Sequence, residues 1–411
     1  MSGRHAAARA PERRVSRPAM HAAAADALRL REWALDALSG RRVAPPPAAP
    51  AEAWAVFLAV ERCAHLLRQA LGADLLESLA EPARGALERG GVGETVNTLS
   101  LRHEAAQVAR LLRARGWTGV VLKGGAAVLG GACEVDVRDL DVLVRPEHAH
   151  PLAADMDAAG YTHEGPDFDP AAPNRHEMAP RTRDGQILVE LHFDLAPRLE
   201  GDPWAGAVPL PVPGLFRMAA ANHLWHVLLH GTLHHPERRG VLRDVRVASA
   251  AVAWCADEEL DDVARRCAAH PHGRLPARML AMARGVAAGA PRDGFRREAA
   301  AAYLLYQLTR RYHPPEALLL ALGRTLFSLS EGNGEYGRLW YGSHVSAISR
   351  GYAGGSRLDR AAPRVASVGR AAWRSANLAA ALPAGAWLAR TAQRLADEFE
   401  AAGGPTWTQP V

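Results

Sequence analysis

Asp139 and Asp141, in VRDLDVLV (137–144), are the residues whose type and spacing first point to chemistry. Side chains two apart on a strand face the same side, with Cα atoms roughly 6.5–7 Å apart, so both carboxylates project together. Two carboxylates on one face can grip divalent cations. In phosphoryl and nucleotidyl transfer, two metals about 3.5–4 Å apart activate the attacking oxygen and steady the leaving one. An isolated Asp-x-Asp is weak evidence, because such triplets usually end as solvated surface charge.

The surrounding order strengthens the reading. Upstream lies VVLKGGAAVLGG (120–131), in which Lys123 is the only lysine; every other member of the 49 Lys and Arg residues is arginine. A compact ammonium and a planar guanidinium differ in shape, hydration and donor geometry, so this position reads as one that needs the ammonium. Gly124 and Gly125 follow a strand and open a helix, which lets backbone amides approach an anion beside the partial positive charge of a helix start. Downstream, QILVELHF (186–193) places Glu190 and His192 on one strand face and Val189, Leu191 and Phe193 on the other. Glu190 is thus a third acid, on a strand otherwise built for burial, where a carboxylate needs a partner such as a metal.

The elements that must position these groups are short. TGVVL (118–122) and LDVLV (140–144) read as buried strands, with a helix over 147–159 after Arg145-Pro146. RHEMAPRT, the turn Asp184-Gly185 and QILVELHF read as a β-hairpin. Helices are expected at 21–39, 51–80 and 94–115, with GGVGE (90–94) separating the last two. From about 215 onward all is expected to be helical: 216–234, 240–255, 258–269, 274–288, 296–311, 315–329 and 364–400, interrupted by a Gly/Tyr/Ser-rich stretch at 331–357. The expected fold class is α+β. It divides into a basic, largely disordered leader and linker (1–50), an N-terminal helical segment (51–115), a small mixed-sheet core (116–200), a larger helical region (201–400) and a tail (401–411).

Composition excludes several classes. Nine arginines against four acids in the first fifty residues account for the whole formal charge of +5, leaving a neutral body. That is not the pattern of a dedicated nucleic-acid-binding protein. Cys63, Cys133, Cys255 and Cys267 show no CxxC spacing and read as buried thiols in a reducing cytoplasm. No apolar run reaches the roughly 20 residues that span a bilayer, so a membrane partner is not expected and the location expected is cytoplasmic.

LKGGAAVL, RDLDVLV and VELHF, in that order, resemble the uncharacterised nucleotidyltransferases of the polymerase-β-like superfamily, over roughly residues 95–260. That family pairs LKG with R-x-x-D-x-D-L-V and a strand ending in Asp/Glu-Leu-His. Here Arg138 abuts Asp139, and Asp136 stands three residues before it. The resemblance implies Mg²⁺ (or Mn²⁺) on Asp139 and Asp141, with Glu190 completing a metal site or acting as base. It further implies Lys123, Gly124, Gly125 and Arg138 toward the phosphates of an NTP co-substrate. The activity implied is transfer of NMP, most simply AMP, to a small-molecule or peptide acceptor. Two alternatives stand beside it: a non-catalytic nucleotide-binding or interaction protein on the same scaffold, and a protein-adenylylating toxin–antitoxin component.

The family also has a helix with spaced histidines followed by an R/W-x-x-D helix; LWHVLLHGTLHH and VLRDVRVA match these. His223, His226, His230 and His234 form one stripe along a helix. Packing, contact with substrate and the sheet, or a zinc site are each open to such a stripe, although no HExxH is present. Asp244 is the natural orienting partner for His230, with His192 and His226 as further supporting groups.

Overall fold

The computed structural model describes residues 17–41, 45–163, 176–195, 202–234, 239–312 and 387–402. Four helices come first: α1 (Arg17–Leu38), α2 (Ala51–Glu61), α3 (Ala64–Ser78) and α4 (Glu81–Ala114). The mixed core then runs β1 (Gly119–Val121), α5 (Lys123–Leu129), β2 (Asp139–Leu143), α6 (Pro146–Ala158), β3 (Thr162–His163), β4 (Arg181–Thr182), β5 (Leu188–His192), β6 (Val208–Pro209) and β7 (Leu215–Arg217). Helices α7 (Ala220–Leu229), α8 (Leu242–Val252), α9 (Asp257–Ala269), α10 (Arg274–Ala287) and α11 (Arg296–Tyr312) follow, with a π turn at His230–His234 directly after α7. A further helix spans 387–401. The fold is α+β, as expected.

The seven strands form one mixed sheet in the order β3-β4-β5-β2-β1-β7-β6. β2 lies parallel to β5 and antiparallel to β1. The Asp184-Gly185 hairpin is present: Gly185 adopts φ 78°, and the Asp184 carboxylate accepts from the Gln186 amide at 3.0 Å. Three strands escaped the sequence reading. β3 follows α6 where no strand was expected, β6 lies in a stretch of the 201–400 helical region given no element of its own, and β7, which pairs in parallel with β1, overlaps the start of the expected 216–234 helix. Strands of two and three residues are too short to carry a two-residue alternation.

Two helix boundaries also differ. GGVGE does not interrupt α4, and two of its three glycines serve close packing: a Cβ on Gly90 would lie 2.7 Å from Ala64 Cβ, and one on Gly91 2.5 Å from Arg68 Cδ. The expected 51–80 helix instead breaks at Arg62, which caps α2 in the left-handed region at φ 51°. The expected helix 315–329, the stretch 331–357 and most of 364–400 lie outside the described residues.

From Arg17 onward the leader departs from the solvated segment expected. Ala24, Ala27, Leu28, Leu30 and Ala34 of α1 are buried, and α1 packs on α2 and α11. Its Arg31 is fully buried. Nε donates to Asp293 at 2.7 Å, Nη1 to Glu61 at 2.6 Å and Nη2 to the Gly240 carbonyl at 2.6 Å. Glu61 also accepts from Tyr303 and from the first amide of α8. A buried guanidinium is stable only with such paired acids, so one arginine joins the first helix to the last third of the described chain. Among the described residues, no helix is long and apolar enough to cross a membrane. Arg31→Met should destabilise the protein by about 3–5 kcal/mol, since it strands two buried carboxylates. Urea denaturation of the wild type and variant measures this.

Candidate active site

Asp141 occupies the middle of β2 with almost no exposure, and a bare carboxylate there would be costly. It is held from two sides. Lys123 Nζ donates to Oδ1 at 2.5 Å, and His192 Nε2 lies 2.9 Å from the same oxygen. The sheet arranges this contact: register places Asp141 beside Glu190 and Leu143 beside His192, so all three polar side chains share a face. Glu190 Oε2 is 3.7 Å from His192 Nε2. Burial by itself raises the Asp141 pKa, but the Lys123 ammonium and the His192 bond outweigh it and hold the carboxyl well below its usual range. Burial likewise pushes Lys123 down, while Asp141, Asp139 and Glu190 lift it above its ordinary value. Burial and then the hydrogen bonds to Asp141 and Glu190 set His192, with the bonds prevailing and raising it from 6.5 to about 9. Glu190 is raised, first by burial and then by Asp141.

Lys123 is delivered by an unusual backbone. It sits at φ 50°, one of two non-glycine residues in the left-handed region among those described; the other is Arg62. Such a conformation costs on the order of 1–2 kcal/mol in a residue with a Cβ, whereas glycine takes it freely. A lysine persists where the backbone favours glycine, so its side chain is what the position requires.

A cleft opens beside these residues. Lys123, Gly124, Asp139, Asp141, His230, Gly231, Arg243 and Asp244 line it with four valines. The Asp139 carboxylate faces this cleft without a hydrogen bond or ion pair among the described residues. Two acids on adjacent inward positions, one of them unpartnered, form a hard-oxygen set that fits Mg²⁺ or Mn²⁺.

The model of the family described as uncharacterised nucleotidyltransferase matches residues 51–284, more than half of the chain. The chain belongs to that family. No curated protein and no solved structure matches it. The family match runs from α2 to α10, beyond the 95–260 expected, and makes the protein a nucleotidyltransferase.

The structure of this nucleotidyltransferase brings together Lys123, Gly124, Asp139, Asp141, Glu190 and His192, with His230 and Asp244 across the cleft. Gly125 is drawn elsewhere. It is buried, and an added Cβ would meet Val121 at 3.0 Å, so it lets α5 sit closely on the sheet. Arg138 also points away: its side chain is 63% exposed and donates to Asp136 at 3.1 Å. Asp136 is fully buried and ties the loop before β2 to Arg62 and Asn97, each at 2.7 Å. The histidine stripe splits in role. Both ring nitrogens of His226 are buried without a hydrogen-bond partner among the described residues, and burial followed by Lys123 lowers its pKa far below the usual value. Burial, then Arg217, pushes His223 down to about 3. His230 alone of the four lines the cleft, on the π turn.

Sequence reasoning missed His176, Glu177 and Arg243. Glu177 bridges directly opposite His192 across the hairpin. Plain counting outward from the Asp184-Gly185 turn would set Arg181 opposite Leu188, whereas Arg181 pairs with Val189, so the register is not legible from the turn alone. Arg243 donates to its α8 neighbour Asp244 at 2.8 Å and to the Asp136 carbonyl at 3.3 Å, the second a contact between distant segments that no local pattern records.

Two tests follow from this geometry. Because folding raises His192 from 6.5 to about 9, its stabilising contribution is complete below pH 6.5 and is lost as pH rises through 9. Urea stability should therefore fall across that window in the wild type and much less in His192→Gln. Lys123→Arg should release pyrophosphate at least tenfold more slowly, since a guanidinium does not fit the ammonium's place against Asp141. Full activity in that variant would make the lone lysine a relic of codon bias.

Proposed function

We propose that this nucleotidyltransferase is Mg²⁺-dependent and moves NMP, most simply AMP, from an NTP to a hydroxyl of a small-molecule or peptide acceptor. The observation that carries the reading is the unpartnered Asp139 carboxylate beside Asp141 in one cleft with Lys123. Asp139 and Asp141 would hold the ion, and Glu190 would complete its acid set. When bound, the metal supplies charge stabilisation at the phosphoryl oxygens and orients the triphosphate.

The chain's own groups do the rest. The acceptor oxygen forms a bond to the α-phosphorus while the bond to the bridging β-oxygen breaks and pyrophosphate leaves. Glu190, whose carboxylate holds a proton more tightly than usual, takes the proton of the acceptor hydroxyl. Lys123 is a compact charge that can turn from Asp141 toward the charge developing on the leaving group. Gly124, which lines the cleft without a side chain, leaves room for a phosphate to approach the backbone. Catalysis of this type is mainly positioning and electrostatics.

Calorimetry with ATP and CTP should show nucleotide binding that depends on Mg²⁺; absent or metal-independent binding overturns the reading. Asp139→Asn and Asp141→Asn should each slow pyrophosphate release at least about a hundredfold. Unchanged release would remove these acids from the metal site. Labelled NTPs incubated with metabolite and peptide pools should give a nucleotidyl adduct, detected by mass, that identifies the acceptor.

A further inference from the structure

Behind His192, on the side away from Asp141, lies a second group of metal-ligating side chains. The hairpin aligns it: the Met178 amide donates to Leu191 and the Phe193 amide to His176, which sets Glu177 opposite His192. Directly opposed residues on one face hold their side chains about 4.5–5.5 Å apart at Cβ. Glu177 Oε2 lies 3.5 Å from His176 Nε2 and 3.8 Å from His192 Nδ1. Both separations exceed a normal hydrogen bond. All three ligand atoms lie within 4.8 Å of one another.

These separations suit the edges of a coordination shell. With metal–ligand bonds of about 2.0–2.2 Å, ligand atoms around a tetrahedral ion stand about 3.3–3.5 Å apart, so small side-chain rotations close the set. His192 already has the arrangement of a ligating imidazole. One ring nitrogen, Nε2, faces the Asp141 carboxylate, leaving Nδ1 toward Glu177. Ligating histidines ordinarily give their other N–H to such a carboxylate, which fixes tautomer and ring orientation. His192 is 5% exposed, whereas His176 and Glu177 are 27% and 34% exposed, so an ion has a route in and an open coordination position.

We propose that His176, Glu177 and His192 form a second metal site, distinct from the Asp139–Asp141 cleft, that takes a borderline divalent ion of the zinc class. Two imidazoles and one carboxylate favour such an ion over Mg²⁺, which prefers oxygen. The ion would take the place of the Nδ1 proton of His192 and hold that ring with Nε2–H on Asp141. The site thereby positions a catalytic-cleft carboxylate from behind and contacts no substrate. It does not depend on the nucleotidyl-transfer reading.

The test uses the full chain, stripped with chelator and titrated with Co²⁺, whose visible d–d bands report nitrogen coordination, with Zn²⁺ as competitor. The wild type should bind one equivalent with these bands, and Zn²⁺ should displace it. His176→Ala and the near-isosteric Glu177→Gln should each weaken Co²⁺ at least about tenfold, while Asp139→Asn leaves it unchanged. No bands in the wild type, or unaltered binding in both variants, overturns the proposal. Equal loss in Asp139→Asn also overturns it, by placing the ion in the cleft.

Discussion

Asp141 carries negative charge in the middle of a sheet, and much of the core is arranged around keeping it there. The Lys123 ammonium is the largest favourable influence on that charge, and the His192 imidazole adds to it. The lysine in turn needs a left-handed turn at its own Cα, and that turn needs Gly125 behind it so that α5 can approach β1. A single buried ion pair thus links the strand order, the glycine pair and the strain at residue 123.

The helices belong to the same logic at longer range. Asp136 anchors the loop before β2 to α2's cap residue and to α4, and Arg243 brings the start of α8 to the same loop. Arg31 then fastens α1 and α2 to α8 and α11 through Glu61, Asp293 and Tyr303. The family match from 51 to 284 takes in α2, α4 and α8 but neither α1 nor α11, so the helices next to the sheet belong to what the family shares while the Arg31 clasp reaches beyond it. Each of these contacts is a charged group paired in the interior, where a missing partner would be costly.

The site was legible where chemistry and local pattern coincide. Asp139, Asp141, Lys123 and Glu190 stood out because strand alternation and a strand–glycine–helix turn fix where such side chains point. Arg138 shows the limit. Its neighbour Asp139 faces the cleft, but just before β2 the Arg138 side chain bonds Asp136 instead. Gly125 shows another: a glycine before a helix reads the same whether it opens space for an anion or for a strand. The histidine stripe read as one feature because four-residue spacing keeps one helical face. The π turn at His230 and the burial of His223 and His226 divided it.

The sequence by itself determined the α+β class, the strand pair carrying the acids, the hairpin at Asp184-Gly185 and the family, because each rests on residues close together in the chain. Tertiary structure alone decided that Arg17–Leu38 is core, that β7 extends the sheet beside β1, that GGVGE is a packing notch, and that Glu177 and His176 stand behind His192. In each case the deciding contact joins distant segments, as Arg31 and Asp293 do across 262 positions. Local periodicity carries no record of such pairings, and only the folded chain brings their charges and surfaces together.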